Sequence, residues 1–119
     1  NRFVAEFIGE GTLLPGVVAD EYTIATDLGN IRANLPESYK HQDNVDVLIR
    51  PENVILADDK ENKAVITELY FRGSGYLYTL KTSEGVELLC LLPGSEALQI
   101  DQYISVRLQI DKPVVFSRP

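Results

Sequence analysis

Side chains able to do covalent or metal chemistry are scarce in this sequence. It has one histidine, one cysteine and no methionine. His41 lies in the polar run Tyr39-Lys40-His41-Gln42-Asp43, which reads as a solvated loop rather than as the base of a Ser-His-Asp arrangement. No serine stands in a G-x-S-x-G elbow. Cys90 sits inside Leu88-Leu89-Cys90-Leu91-Leu92, and a thiol in such an apolar run is ordinarily a small, unreactive core group. A lone cysteine also excludes an internal disulfide and a multi-cysteine zinc site. The acids fall in turns. The richest run, Asp58-Asp59-Lys60-Glu61-Asn62, lacks the glycine and distal glutamate of a calcium loop and reads as a hairpin tip. No G-x-x-x-x-G-K-[ST] loop is present to cradle phosphates, and Gly9-Glu10-Gly11 and Gly73-Ser74-Gly75 read as isolated tight turns. Arg32, Arg50, Arg72, Lys81 and Arg107 would hold an oxyanion only if the fold gathered them around one cleft. The residues therefore predict no catalytic group, no metal site and no cofactor in this segment.

The elements that carry these residues are short and extended. The 119 residues suit one compact domain or two small lobes sharing a core. With 45% hydrophobic and 24% charged residues the chain is neither disordered nor membranous in composition. No apolar run reaches the roughly 18–20 residues that span a bilayer. Eighteen acids against 11 bases give a net charge of −7, which argues against a broad nucleic-acid surface. Val4, Ala5, Phe7 and Ile8 allow one helical turn. After it, a period near two predicts strands over Leu13–Ala19, Glu21–Asp27, Ile31–Asn34, Val45–Arg50 and Val54–Ala57. Further strands are expected over Lys63–Phe71, Gly75–Thr82, Val86–Leu92, Tyr103–Ile110 and Val114–Phe116. Strands this short, separated by frequent Gly, Pro, Asn and Asp turns, define an all-β barrel or sandwich.

The sequence also repeats itself. Tyr22-Thr23-Ile24-Ala25-Thr26 with Gly29 matches Tyr78-Thr79-Leu80-Lys81-Thr82 with Gly85. Phe7-Ile8-Gly9 matches Phe71-Arg72-Gly73, and Leu35-Pro36 matches Leu92-Pro93. Val45, Val47 and Ile49 match Ile104, Val106 and Leu108, and each half closes on a short apolar strand. The expectation is two β repeats, about 12–57 and 63–119, that complete one core between them, because each buries too little alone.

Between the repeats' strands, Arg50-Pro51-Glu52-Asn53 forms a corner. Pro51 fixes its φ and lacks an N–H, so it ends the preceding ladder. Glu52 and Asn53 supply acceptors for a turn, and Arg50 supplies a forked donor for a carboxylate. Two readings stand side by side: a corner locked by its own hydrogen bonds, or a contact with a neighbouring domain.

Two stretches carry a resemblance. The run from Val4 to Val18, with Phe7-Ile8-Gly9-Glu10-Gly11-Thr12-Leu13-Leu14-Pro15 at its centre, resembles the junction between the ATPase domain of an ABC importer subunit and its C-terminal accessory domain. The run Val47-Leu48-Ile49-Arg50-Pro51-Glu52-Asn53-Val54 resembles the corner midway through that accessory domain, the transport-associated OB (TOBE) module. The opening phrase looks most like the ferric-iron importer branch. The resemblance implies an all-β, duplicated OB-like fold, with residues 1–11 as a junction and 12–119 as the accessory domain. It also implies an ATPase domain on the N-terminal side, where ATP and magnesium bind, so that this segment is non-catalytic and supports transport, regulation and pairing. The implied partners are that ATPase domain, a second copy of the subunit and a membrane permease, at the inner face of the plasma membrane, with no nucleic acid. A small-oxyanion-binding β-barrel is the alternative.

A module with no site of its own acts through its surface. Bulky groups in excess of what a small core holds are the candidates for a two-copy contact: Tyr70, Phe71, Tyr76 and Phe116, with Tyr78 assigned to the core.

Overall fold

The computed structural model describes residues 7–8, 11–61, 63–94 and 97–118. The chain is all-β. Its first half holds β1 (Phe7–Ile8), β2 (Gly11–Asp20), β3 (Thr23–Thr26), β4 (Gly29–Arg32), β5 (Asn44–Ile49) and β6 (Val54–Leu56). Its second half holds β7 (Ala64–Arg72), β8 (Gly75–Thr82), β9 (Glu87–Pro93), β10 (Tyr103–Ile104), β11 (Val106–Leu108) and β12 (Val115–Ser117). A 3-10 turn, Pro51–Asn53, precedes β6. The expected helical turn at the start is not there for Phe7 and Ile8, which extend and pair with Thr12 and Gly11; Val4, Ala5 and most of the 1–11 junction lie outside the described residues. Pairing with β2 satisfies backbone groups that a single helical turn would leave open.

Every strand pairing among the described residues is antiparallel. One sheet runs β12-β5-β2-β3-β4, with β1 also on β2; a second runs β10-β7-β8-β9; a third is the pair β11-β6. The closing strands cross between halves. β6 pairs with β11, setting Leu56 opposite Val106, and β12 pairs with β5, setting Val115 opposite Val47. The segment expected as one strand over Tyr103–Ile110 divides at Ser105, because Ile104 pairs with Ala64 while Val106 pairs with Leu56. The strand thus changes sheets, and the Ser105 carbonyl accepts the Ala57 N–H at 2.9 Å where it does so.

Two hairpins carry the same irregularity. In β2–β3 the register slips at Ala19, just after Val18↔Ile24. In β7–β8 it slips at Thr67, just after Ile66↔Leu80. All four residues beside the bulges are buried, so each bulge keeps the apolar set facing inward while the strand bends. Past the bulge the hairpins diverge. The first turns at once, leaving Tyr22 outside the strand and 47% exposed, whereas the second runs on through Leu69↔Tyr78 to Arg72↔Gly75 and buries Tyr78 to 2%. This separates two residues that the repeat pattern aligns. It also undoes the match of Phe7 with Phe71, since Phe7 opposes Thr12 and Phe71 opposes Tyr76 in the longer hairpin.

One core receives both halves. Leu14, Val18, Ile24, Val45, Val47, Ile49 and Val54 meet Ile66, Tyr78, Leu80, Leu88, Cys90, Ile104 and Val106. The Tyr78 hydroxyl, the only polar atom of that ring, accepts the Leu98 N–H at 2.9 Å and so ties the 97–102 loop to the sheet.

Candidate functional site

The corner is closed from within. The Arg50 N–H donates to Asn53 Oδ1 at 2.8 Å, and the Asn53 N–H donates to the Arg50 carbonyl at 2.9 Å. Pro51 is buried, as its missing N–H allows, while Arg50 and Glu52 are exposed. Asn53 also reaches the other half: its Nδ2 donates to the Gln109 carbonyl at 3.3 Å, and its carbonyl accepts the Gln109 N–H at 2.8 Å. Among the predicted corner residues, Asn53 and Pro51 therefore build the corner, and Arg50 and Glu52 present their side chains outward. Gln109 was not singled out by sequence. Its role comes only from the approach of β11 to β6, which no local signal announces.

Tyr70, Phe71 and Tyr76 lie at the far end of the β7–β8 hairpin, Phe71 and Tyr76 on one face and Tyr70 on the other. Phe71 meets Tyr76 edge to face with centroids 5.5 Å apart, and Tyr76 leans on Tyr78 at 6.1 Å. Tyr70 is 52% exposed and Phe71 71% exposed. The Tyr70 hydroxyl donates to Glu68 Oε2 at 3.0 Å, and that carboxylate raises the phenol above its ordinary value. Phe116 is on β12, in the other sheet, opposite Asp46. The four candidate contact residues therefore belong to two sheets rather than one. Leu91, opposite Leu77 and exposed, shares the face of Tyr70 without having been predicted; only the strand register places it there.

The remaining chemistry-bearing residues hold structural positions. Cys90 is fully buried, its Sγ lies 3.4 Å from the Val54 carbonyl, and burial pushes the thiol up to about 12. His41 Nδ1 lies 2.8 Å from the Ala19 carbonyl on the exposed loop before β5. The Glu61 N–H donates to Asp59 at 3.0 Å, and together with Ser105 this bond holds that carboxyl below its ordinary value. The basic residues do not converge. Arg107 and Lys63 line one hollow of about 340 Å³ beside Asp59 and Glu61. Arg32 and Lys112 line another of about 390 Å³ beside Asp111, and Arg32 lies over the Tyr22 ring at 5.6 Å. No group of three or more His, Cys, Asp or Glu side chains able to hold a metal occurs among the described residues. Among them, no helix is long and apolar enough to cross a membrane.

The fold is that of a small module of antiparallel β-sheets. Residues 47–116, more than half of the chain, match the family model for the TOBE domain, and the chain belongs to that family. The match begins within β5, just ahead of the Arg50–Asn53 corner, and runs into β12. The chain is similar to the spermidine/putrescine import ATP-binding protein PotA of Onion yellows phytoplasma (strain OY-M), with 28% identity over 99 residues, 74% of this chain and 24% of that protein. It is also similar to the protein of the same name from Aster yellows witches'-broom phytoplasma (strain AYWB), with 31% identity over 88 residues, 71% of this chain and 20% of that protein. The chain thus spans a quarter or less of the length of these curated relatives.

Proposed function

We propose that this chain is the non-catalytic accessory domain of an ABC importer's ATP-binding subunit. The observation that carries the reading is the TOBE match over residues 47–116, joined to relatives that are themselves named import ATP-binding proteins. In this reading the parent subunit hydrolyses ATP in its N-terminal part, works as a pair, and docks on a membrane permease at the inner face of the membrane. The accessory domain adds a fixed surface to that machine. A corner whose bonds close internally suits this task, because Asn53 and Pro51 hold the backbone while Arg50 and Glu52 stay available to a neighbour.

The cargo we propose is a polyamine. Both relatives are named for spermidine and putrescine import, and neither name favours the ferric-iron branch that the opening segment resembles. No second reading, an oxyanion barrel included, gains from the hollows, since each sets its cations beside carboxylates.

The gene sequence upstream of Asn1 tests the reading directly: a phosphate-binding loop and an ABC signature are expected there. Calorimetric titration of this chain with Mg-ATP should give no binding heat. Micromolar affinity for the nucleotide would overturn the non-catalytic assignment. Transport by the assembled importer should accumulate labelled spermidine and not ferric iron; the reverse result would overturn the cargo.

A further inference from the structure

The two larger sheets turn different outward faces to their surroundings. A sheet with one wet face alternates apolar with polar residues. The second sheet follows that rule, with Glu68, Arg72, Lys81 and Glu87 on its outward side. The first sheet does not. Alternation turns Leu14, Val18, Ile24, Val45, Val47 and Ile49 into the core. It turns Leu13, Pro15, Val17, Ala25, Leu48 and Phe116 the other way, and none of these six belongs to the core.

The six make one patch. Leu13 lies opposite Leu48, Val17 opposite Ala25, and Pro15 opposite Asp46, which in turn lies opposite Phe116. Asp46 is charged, and Arg118 Nε meets its carboxylate at 3.2 Å. The patch is open: a hollow of about 300 Å³ lies over Pro15, Val17 and Ala25, and Phe116 is 42% exposed. Arg50, whose backbone is extended at φ −94° and ψ 157°, continues the alternation from Leu48 and stands exposed at the end of the patch. An apolar centre with a polar and charged rim is the anatomy of a protein contact.

We infer that this face seats the ATP-binding segment of the same polypeptide. The inference rests on the accessory-domain reading above, in which that segment precedes Asn1. The chain connection selects the occupant. β1 joins this same sheet, on β2, and sets Phe7 opposite Thr12, beside Leu13. The six residues from Asn1 to Phe7 reach at most about 20 Å. The five strands β12-β5-β2-β3-β4, spaced about 4.8 Å apart, span about the same distance. A body on a leash no longer than the sheet is wide is held beside that sheet at high effective concentration. The outward face of the second sheet lies across the core from the leash. A second copy has no such leash to this face, even in a parent that works as a pair. Arg50, at the rim, offers the seated segment a forked donor for a carboxylate.

The test uses the full-length parent subunit with Phe116→p-benzoyl-phenylalanine, and separately Val17→p-benzoyl-phenylalanine in case one substitution disturbs folding. The control carries the same photoreactive residue at Lys81, exposed on the outward face of the second sheet. After irradiation, denaturing electrophoresis separates links within one chain, at monomer size, from links between chains, and mass spectrometry of the digested bands identifies the peptides. Monomer-size links from positions 116 and 17 to the ATP-binding segment, several-fold more abundant than from position 81, are expected. Dimer-size links would overturn the inference in favour of a second copy. Links confined to residues 1–11 would show that the junction itself covers the face and would also overturn it. Links no stronger than those of the control would overturn it outright. A parent gene with no ATP-binding segment would remove the accessory-domain reading itself, whereas a parent that has the segment and gives none of the expected links removes only the seat.

Discussion

Asn53 and Gln109, 56 positions apart in the chain, are joined in both directions: the Asn53 amide donates to the Gln109 carbonyl, and the Gln109 N–H donates to the Asn53 carbonyl. The same Asn53 side chain accepts the Arg50 N–H. One residue thus closes the corner and fastens it to the opposite half.

Asn53→Ala removes two side-chain bonds and leaves the Arg50 N–H and Gln109 carbonyl to water. At about 1 kcal/mol for each lost bond, the loss is about 2 kcal/mol, read as a lower urea midpoint with an unchanged slope. Arg50→Ala and Glu52→Ala, whose side chains are exposed, should stay within about 0.5 kcal/mol of the parent. Equal losses at all three positions would mean that the corner is held by Arg50 and Glu52 as well.

Cys90 gives a pH dependence with a definite sign. Burial raises its thiol from an ordinary 9.0 to about 12, so the unfolded chain ionises first as pH rises. The stabilising difference is whole below pH 9 and is lost between pH 9 and about 12, with a slope approaching about 1.4 kcal/mol per pH unit. Urea midpoints at pH 8 and 10.5 should fall more steeply for the native chain than for Cys90→Ala. Iodoacetamide at pH 8.5 should label Cys90 only after unfolding; rapid labelling of the folded chain would contradict its burial.

Gly29 and Gly85 have φ of +113° and +85°, and open space lies where each Cβ would go. Alanine at either place meets no neighbour and still strains the backbone, so each substitution should destabilise by about 1 kcal/mol or more. Thermal unfolding of the two variants measures it. A neutral Gly85→Ala would show that the turn relaxes to another conformation.

Tyr78→Phe keeps the ring in the core and removes the acceptor of the Leu98 N–H. A cost of about 1 kcal/mol is expected, with amide exchange accelerated at Leu98 and unchanged in β8. Uniform acceleration across the sheet would place the effect in the core packing instead.

Much of this protein is fixed by local pattern. Alternating apolar residues and glycine-bearing turns determine the strands. Gly75–Thr82 is delimited as expected, and the limits of most others move by one or two residues, because a strand end is set by its partner as well as by its own residues. Pro51 determines the corner by its own ring. The solitary cysteine and histidine determine that no multi-cysteine or multi-histidine chemistry is available. Tertiary structure alone decided how the halves are joined. That β6 reaches β11 and β12 reaches β5, and that Asn53 finds Gln109, depends on pairing between distant strands, whose register is chosen by the shared core and not by neighbours in sequence. The bulges at Ala19 and Thr67 have the same origin: neither residue type signals a bulge, and each appears where the buried set must stay inward as the strand bends. The separation of Tyr22 from Tyr78 is the clearest case. Their local sequences are nearly the same, but one hairpin turns at once and the other extends, so one ring meets solvent and the other the core.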